Sequence, residues 1–259
     1  MRYFFTDQMG TVVALPSIPR RIVSLVPSQT ELLYALGLDK EVVGITKFCV
    51  HPDSWRKNKT IIGGTKNFDF DTINDLQPDL IIGNKEENYE DGINELKDRY
   101  PVWMSDIESM QSAVDMIRMV GSLTDKIEKA GQLADEIELN FERYSPRSLG
   151  SALYLIWKKP WMAAGKNTFI DSMLVQAGFS NVLHESRYPV LSEKQIHALS
   201  PSIILLSSEP YPFTEKHIKE LQQVSPLSKI LLVDGEIFSW YGSRMLAAPS
   251  YFHSLALRA

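Results

Sequence analysis

Residues 71–82 (DTINDLQPDLII) and residues 194–205 (KQIHALSPSIIL) follow one pattern, and their prolines, Pro78 and Pro201, stand 123 residues apart. In each copy an amphipathic helix stops just before the proline and a hydrophobic strand starts just after it. Proline cannot continue a helix and pushes the residue before it out of the helical region, so the switch from helix to strand is set twice in the same way. A second pair agrees: residues 22–26 lead through Pro27-Ser28 into a helix stopping at Gly37, and residues 153–157 lead through Gly165-Lys166 into a helix stopping at Gly178. This duplication predicts two similar α/β lobes with a cleft between them, and the functional question becomes what the cleft holds.

Strands alternating with helices at this spacing predict mainly parallel sheets with crossover helices, three layers to each lobe. Residues 4–6 and 11–15 read as a small hairpin around Gln8-Met9-Gly10, and the first lobe proper starts at Arg21. Its strands are expected at residues 22–25, 42–45, 80–82 and 102–103. Ser28, with Glu31 three residues on, has the spacing of a capping box. From residue 122 to 144 the pattern becomes one long helix, with Ile127, Ala130, Ala134, Ile137 and Phe141 recurring at helical spacing. About 20 helical residues make a rod of roughly 30 Å, able to join the lobes. The expected organisation is therefore an N-terminal lobe over residues 1–121, a connecting helix over 122–145 and a C-terminal lobe over 146–259. A helical connection predicts only slight rocking of the lobes.

At 259 residues the chain can fill two cores of about 110 to 130 residues each. Its 44% hydrophobic and 23% charged residues are those of a soluble globular protein, and no apolar run approaches the roughly 20 residues that span a membrane. A net charge of −5, with no long run of Lys or Arg, argues against nucleic acid as a partner. The single cysteine, Cys49, excludes an internal disulfide. Residues 1–8 (MRYFFTDQ) contain neither an apolar export core nor a small-residue cleavage site. The expectation is a native start, a cytoplasmic location for the chain as written, and a monomer.

The motifs G-x-S-x-G, H-E-x-x-H and G-x-G-x-x-G do not occur, so no enzyme signature stands out. Gly165-Lys166-Asn167-Thr168 looks like the end of a phosphate-binding loop, but Pro160 occupies the place of its first glycine, and a turn before a helix is the simpler reading. Phe48-Cys49-Val50-His51-Pro52 is the sharpest local signal. In an extended loop Cys49 and His51 point the same way, and both side chains are metal-ligand types. Two ligands are too few for a closed zinc site, so no intrinsic cofactor is expected, and His51 is expected to contact a metal that a ligand brings with it. A reactive thiol at Cys49 is the competing, enzymatic or sensory reading. Phe48, Trp161, Tyr188, Tyr211, Trp240 and Tyr241 gather where loops follow strands, where rings either hold a large flat ligand or pack the core. Arg244 can pair with a ligand carboxylate, amide or phosphate. Ser28, at a helix N-terminus, can meet polar or anionic atoms or simply cap.

Taken together, PRRIVSLVPSQTELLYALGL, VVGITKFCVHP, INDLQPDLII, the long helix, LSEKQIHALSPSIILL and SWYGSRM make the chain resemble the helical-backbone (class III) periplasmic substrate-binding proteins of ABC importers for vitamin B12, ferric siderophores and haem. It is most similar to their cobalamin-binding branch. The resemblance implies a non-catalytic protein holding a bulky metal chelate between the lobes, a corrinoid such as cobalamin first and a ferric siderophore or haem second. It implies an ABC transporter permease as partner and a periplasmic or extracytoplasmic location. It also implies ligand-lining aromatics at Phe48 and Tyr188 and pocket roles around Trp161, Trp240 and Arg244. Importer-docking members carry an acidic residue seven positions before the proline of each repeat; here these positions are Asp71 and Lys194, with Glu193 adjacent to the latter. Thr65 and Asn84 stand where the cobalamin-binding relatives carry rings.

Overall fold

Two short apolar runs flank Gly10, whose φ of 80° lies in the region that favours glycine. They pair as an antiparallel hairpin, β1 (Tyr3–Thr6) and β2 (Val12–Leu15). The computed structural model, which describes residues 2–259, continues through β3 (Ile22–Ser24), α1 (Pro27–Ala35), β4 (Val42–Ile45), α2 (Asp53–Asn58), β5 (Thr60–Ile61), β6 (Gly63–Gly64) and β7 (Asn67–Phe68). Then come α3 (Phe70–Leu76), β8 (Leu80–Asn84), α4 (Glu90–Lys97), β9 (Val102–Ser105), α5 (Met110–Leu123) and α6 (Ile127–Arg143). The main sheet here is parallel throughout, in the order β5-β4-β3-β8-β9. Ile22, Val23, Leu80, Ile81 and Ile82 have no exposed surface, which is why these strands read as unbroken hydrophobic runs rather than alternating ones.

The remaining elements are β10 (Gly150–Trp157), β11 (Trp161–Ala163), α7 (Phe169–Gln176), β12 (Phe179–Asn181), β13 (Val190–Leu191), α8 (Glu193–Leu199), β14 (Ile203–Ser207), α9 (Glu215–Val224), β15 (Lys229–Val233), α10 (Gly235–Ser239) and α11 (Ala248–Arg258). Their sheet runs β13-β11-β10-β14-β15, with β12 also paired to β10. The pairs among β10, β12, β14 and β15 are parallel, while β11 runs antiparallel to both β10 and β13. The chain divides into two compact units. One comprises the residues up to Ile107 with Gln111–Ile137 and Tyr241–Arg244; the other comprises Glu108–Met110, Glu138–Trp240 and Met245–Ala259. The division falls inside α6.

The proline-bounded repeat is matched element for element. Helix α3 and strand β8 recur as α8 and β14 with the offset of Pro78 and Pro201. Gln77 and Ser200, just before those prolines, both close their helices in the left-handed conformation at φ 43°. Each helix is opened by a side-chain oxygen, Asp69 accepting from the Thr72 amide and Ser192 from the Gln195 amide. Gly37 and Gly178, at φ 80° and 95°, end α1 and α7 alike. In the second unit, Thr168 accepts from the Asp171 amide and caps α7, so Gly165-Lys166-Asn167-Thr168 is a turn before a helix.

Two local expectations are corrected. Ser28 does not cap α1, because Pro27, with its fixed φ, takes the first helical position; Val26 is then the N-cap and Ser28 falls inside the first turn. Glu31 consequently makes no capping box. The long helix starts at Ile127 rather than residue 122, because Asp125 turns left-handed at φ 57° and the Lys126 amide bonds back to the Gly121 carbonyl, closing α5. Ile127 itself is exposed, while Ala130, Ala134, Ile137 and Phe141 form the buried stripe of α6.

Candidate functional site

In the first unit the chain leaves β3 for β4 on one side, and the later strands β8 and β9 build the other side. The carboxyl ends of β3 and β8 thus flank a topological switch point, the place where open α/β sheets offer a crevice. The loop after β8 is held by a reciprocal pair of asparagines. Asn88 Oδ1 accepts the Asn84 amide at 2.9 Å, and Asn84 Oδ1 accepts the amides of Glu86 and Glu87 at 2.8 and 3.1 Å. Asn84 Nδ2 donates to Ser105 Oγ, and Asn88 Nδ2 donates to the carbonyls of Thr65 and Leu25. A side chain at Gly83 would come within 2.7 Å of Asn88 Oδ1, so this residue must be glycine for the pair to form. The Lys66 ammonium donates to the carbonyls of Glu86 and Asn88 and locks the loop from outside.

Glu87 lies at the centre of that loop. Its residue surface is exposed, yet desolvation raises its carboxyl above the usual carboxylate range, opposed by the charge of Lys66. Sequence reasoning passed over Glu87, since nothing local separates it from Glu86 or Glu90.

Phe48 follows β4 with its ring half exposed, packed at its edge against Gly64 and covered by the Lys47 ammonium. His51 is part-buried. Cys49 corrects its expectation. The loop turns tightly, with the Cys49 amide bonded to the Thr46 carbonyl and the Val50 amide to the Phe48 carbonyl, so the alternation of an extended strand does not apply. The Cys49 thiol points into the core with no exposure, 3.0 Å from Thr30 Oγ1 and 3.2 Å from Thr46 Oγ1. Burial pushes its pKa up, against the thiolate that a nucleophile or metal ligand needs. Among the described residues no group of three or more His, Cys, Asp or Glu is placed to hold a metal.

Residues 241–244 return to this unit. Arg244 grips Glu31 of α1 with two parallel bonds, Nε to Oε2 at 3.0 Å and Nη2 to Oε1 at 2.9 Å, so its charge is already balanced within the protein. Gly242, at φ 101°, lies against Leu32 and the Ser28 carbonyl. Ser28 and Tyr241 are both buried.

In the second unit, Trp161 belongs to the hydrophobic core. It stacks on Phe213 at an interplanar angle of 4°, with the Lys158 ammonium over its ring. Its rim also borders a cavity of about 720 Å³ shared with Lys158, Lys159, Glu193, Lys194 and His197. Trp240 is buried and donates from Nε1 to Glu209, whose same oxygen accepts from Ser239. Glu209, which no sequence pattern marked, stands at the carboxyl end of β14 beside a cavity of about 450 Å³ lined by Ser208, Val233 and Asp234. Tyr188 is part-buried in the loop before β13. Asp71 and Lys194 occupy the same position of the duplicated helices α3 and α8, and with Glu193 they are exposed in the first turns.

Over residues 22–229 the chain matches the family model described as periplasmic binding protein. The uncharacterized ABC transporter substrate-binding lipoprotein YvrC of Bacillus subtilis (strain 168) is 32% identical over 119 residues, 44% of this chain but only 37% of that protein. The vitamin B12-binding protein of Pectobacterium carotovorum subsp. carotovorum (strain PC1) is 20% identical over 241 residues, 90% of this chain and 86% of that protein. Among solved structures, the apo form of the periplasmic heme-binding protein RhuT from Roseiflexus sp. RS-1 superposes with a TM-score of 0.77 at 21% identity, covering 92% of this chain and 99% of that one. The periplasmic vitamin B12-binding protein BtuF of Vibrio cholerae gives 0.76 at 18%, covering 94% and 100%. At such identities these structures show a common fold, two-lobed in the relatives. On the family match across most of its length and on that common fold, the chain belongs to the class III periplasmic binding proteins, the family that binds ligands for ABC import.

Proposed function

We propose that this protein is the non-catalytic ligand-binding component of an ABC-type importer and that its ligand is a corrinoid such as cobalamin. The observation that carries the reading is the correspondence with a vitamin B12-binding protein along 90% of the chain. The exposed ring of Phe48 is suited to a broad flat ligand. Phe48 and His51 are the contacts proposed in the first unit and Tyr188 in the second, with His51 reaching the metal carried by the ligand. The sealed environment of Cys49 speaks against a thiol enzyme on the same fold. Asp71 and Glu193, exposed on the duplicated helices, are the proposed contacts to a cationic permease surface, and an extracytoplasmic location follows from that role. Haem is the second reading, supported by the fold shared with heme-binding RhuT.

Isothermal titration with aquocobalamin, repeated on His51→Ala, tests the proposal. The expected outcome is tight binding by the wild type that weakens by about tenfold or more when the imidazole is lost. No heat with aquocobalamin at high concentration overturns the corrinoid assignment.

A further inference from the structure

Each unit carries a cavity at the same place in its repeat, and the two cavities differ in charge. Strands β7 and β13 share the offset of Pro78 and Pro201 and lead directly into α3 and α8. Each pairs antiparallel with a short strand, Phe68 opposite Gly63 and Leu191 opposite Trp161. In the first unit a cavity of about 500 Å³ beside this pairing is lined by Gly63, Phe68 and Phe70, with Asp69 and Asp71 as its charged groups. In the second unit the cavity of about 720 Å³ beside Trp161 is lined by Lys158, Lys159 and Lys194. Lys194 stands where the first repeat has Asp71, so the sign changes at the repeated position itself.

The side chains of the second cavity are held by the fold. Trp161 is buried and stacked on Phe213, and the Lys158 ammonium sits 5.3 Å from the centroid of its ring. Lys158 also pairs with Glu220 of α9, which balances both charges. His197 donates from Nδ1 to the Val224 carbonyl at 2.9 Å and ties α8 to α9 beside the cavity. Lys159, in the β10–β11 turn at φ 66°, and Lys194, in the first turn of α8, are left over. Both are exposed, and among the described residues neither forms a hydrogen bond or an ion pair. Two ammonium groups against the one remaining carboxylate, Glu193, make this cavity positive on a chain whose net charge is −5. Its volume exceeds what a single inorganic anion needs, and its cations come from a turn and a helix rather than converging on one point. An extended segment carrying several carboxylates matches cations spaced in this way, and complementary charge of this kind selects the partner and speeds its encounter. Glu193 adds that the segment meets it with a donor or a cation beside its acids.

We propose that the cavity bordered by Trp161, Lys159 and Lys194 is a docking site for an acidic peptide segment of a partner protein. The test is a titration of the full chain with hexaglutamate, followed by amide chemical shifts at pH 7.5 and low ionic strength, with hexalysine as the control. Saturable shifts are expected at residues 158–161, 193–197 and 220–224 with hexaglutamate and not with hexalysine. The double variant Lys159→Glu, Lys194→Glu is expected to bind hexaglutamate at least about tenfold more weakly, with Tm unchanged because neither lysine supports another group. Shifts that do not saturate, that spread over the surface or that hexalysine reproduces overturn the proposal, as does a double variant whose affinity changes by less than about threefold. Aquocobalamin titration of the same proteins separates this site from the ligand reading above: the double variant is expected to bind aquocobalamin as the wild type does, and a wild type that binds hexaglutamate but not aquocobalamin overturns the corrinoid assignment alone.

Discussion

Cys49 Sγ is enclosed by the hydroxyls of Thr30 and Thr46, and Thr30 is bonded in turn to Ser24 Oγ and the Val26 carbonyl. This chain of small polar groups joins the end of β3, the first turn of α1 and the loop after β4, so the thiol acts as a spacer between them. A maleimide or disulfide reagent is expected to modify Cys49 in the native protein at least about a hundredfold more slowly than in denaturant, because reaction requires local opening of these elements. Rapid labelling of the native state would contradict the burial. Cys49 drew attention in the sequence as the only thiol, and Glu87 drew none, since its surroundings come from residues 65–66 and 84–88, which meet only in the folded loop.

Helix α9 opens with a capping box of unusual composition. The Thr214 amide donates to His217 Nδ1 at 2.9 Å, which requires that nitrogen to be unprotonated. His217 is buried, and desolvation, followed by the charges of Lys158 and Lys216, lowers its pKa below the ordinary histidine value. A histidine with a depressed folded pKa contributes stability that is complete above the unfolded value near 6.5 and is lost as pH falls through it toward the folded pKa. As pH falls from 7.5 through 6.5 and below, the contribution of the cap, about 1 kcal/mol, is expected to decline, lowering Tm by up to about 2–4 °C. His217→Gln, which keeps the box without a titrating group, is expected to remove that part of the pH dependence; calorimetry across the range checks both. Elements of this sort were legible where signals were local. The proline-bounded repeats placed α3, β8, α8 and β14, and glycines placed the ends of α1 and α7. Ser28 was misread because capping-box spacing alone does not reveal that a proline one residue earlier advances the helix start. The break at Asp125 was missed because the apolar period runs through it.

Over the whole molecule, the least legible link is the one between Glu31 and Arg244, 213 residues apart. No periodicity or motif connects them, and the arginine stood out only as a candidate ligand contact. With side chains about one-fifth exposed, the bidentate pair is expected to show a coupling energy of about 1–2 kcal/mol in a double-mutant cycle of Glu31→Ala and Arg244→Ala, read by chemical denaturation. A coupling near zero would mean that Gly242 and its neighbours hold the segment without the ion pair. The return of residues 241–244 to the first unit also bears on the order in which the chain can be completed during synthesis. The first unit begins to form early, yet its last four residues leave the ribosome after nearly all of the second unit has been made. The half of the protein that is born first therefore stays incomplete until all but the last fifteen residues of the chain have been made.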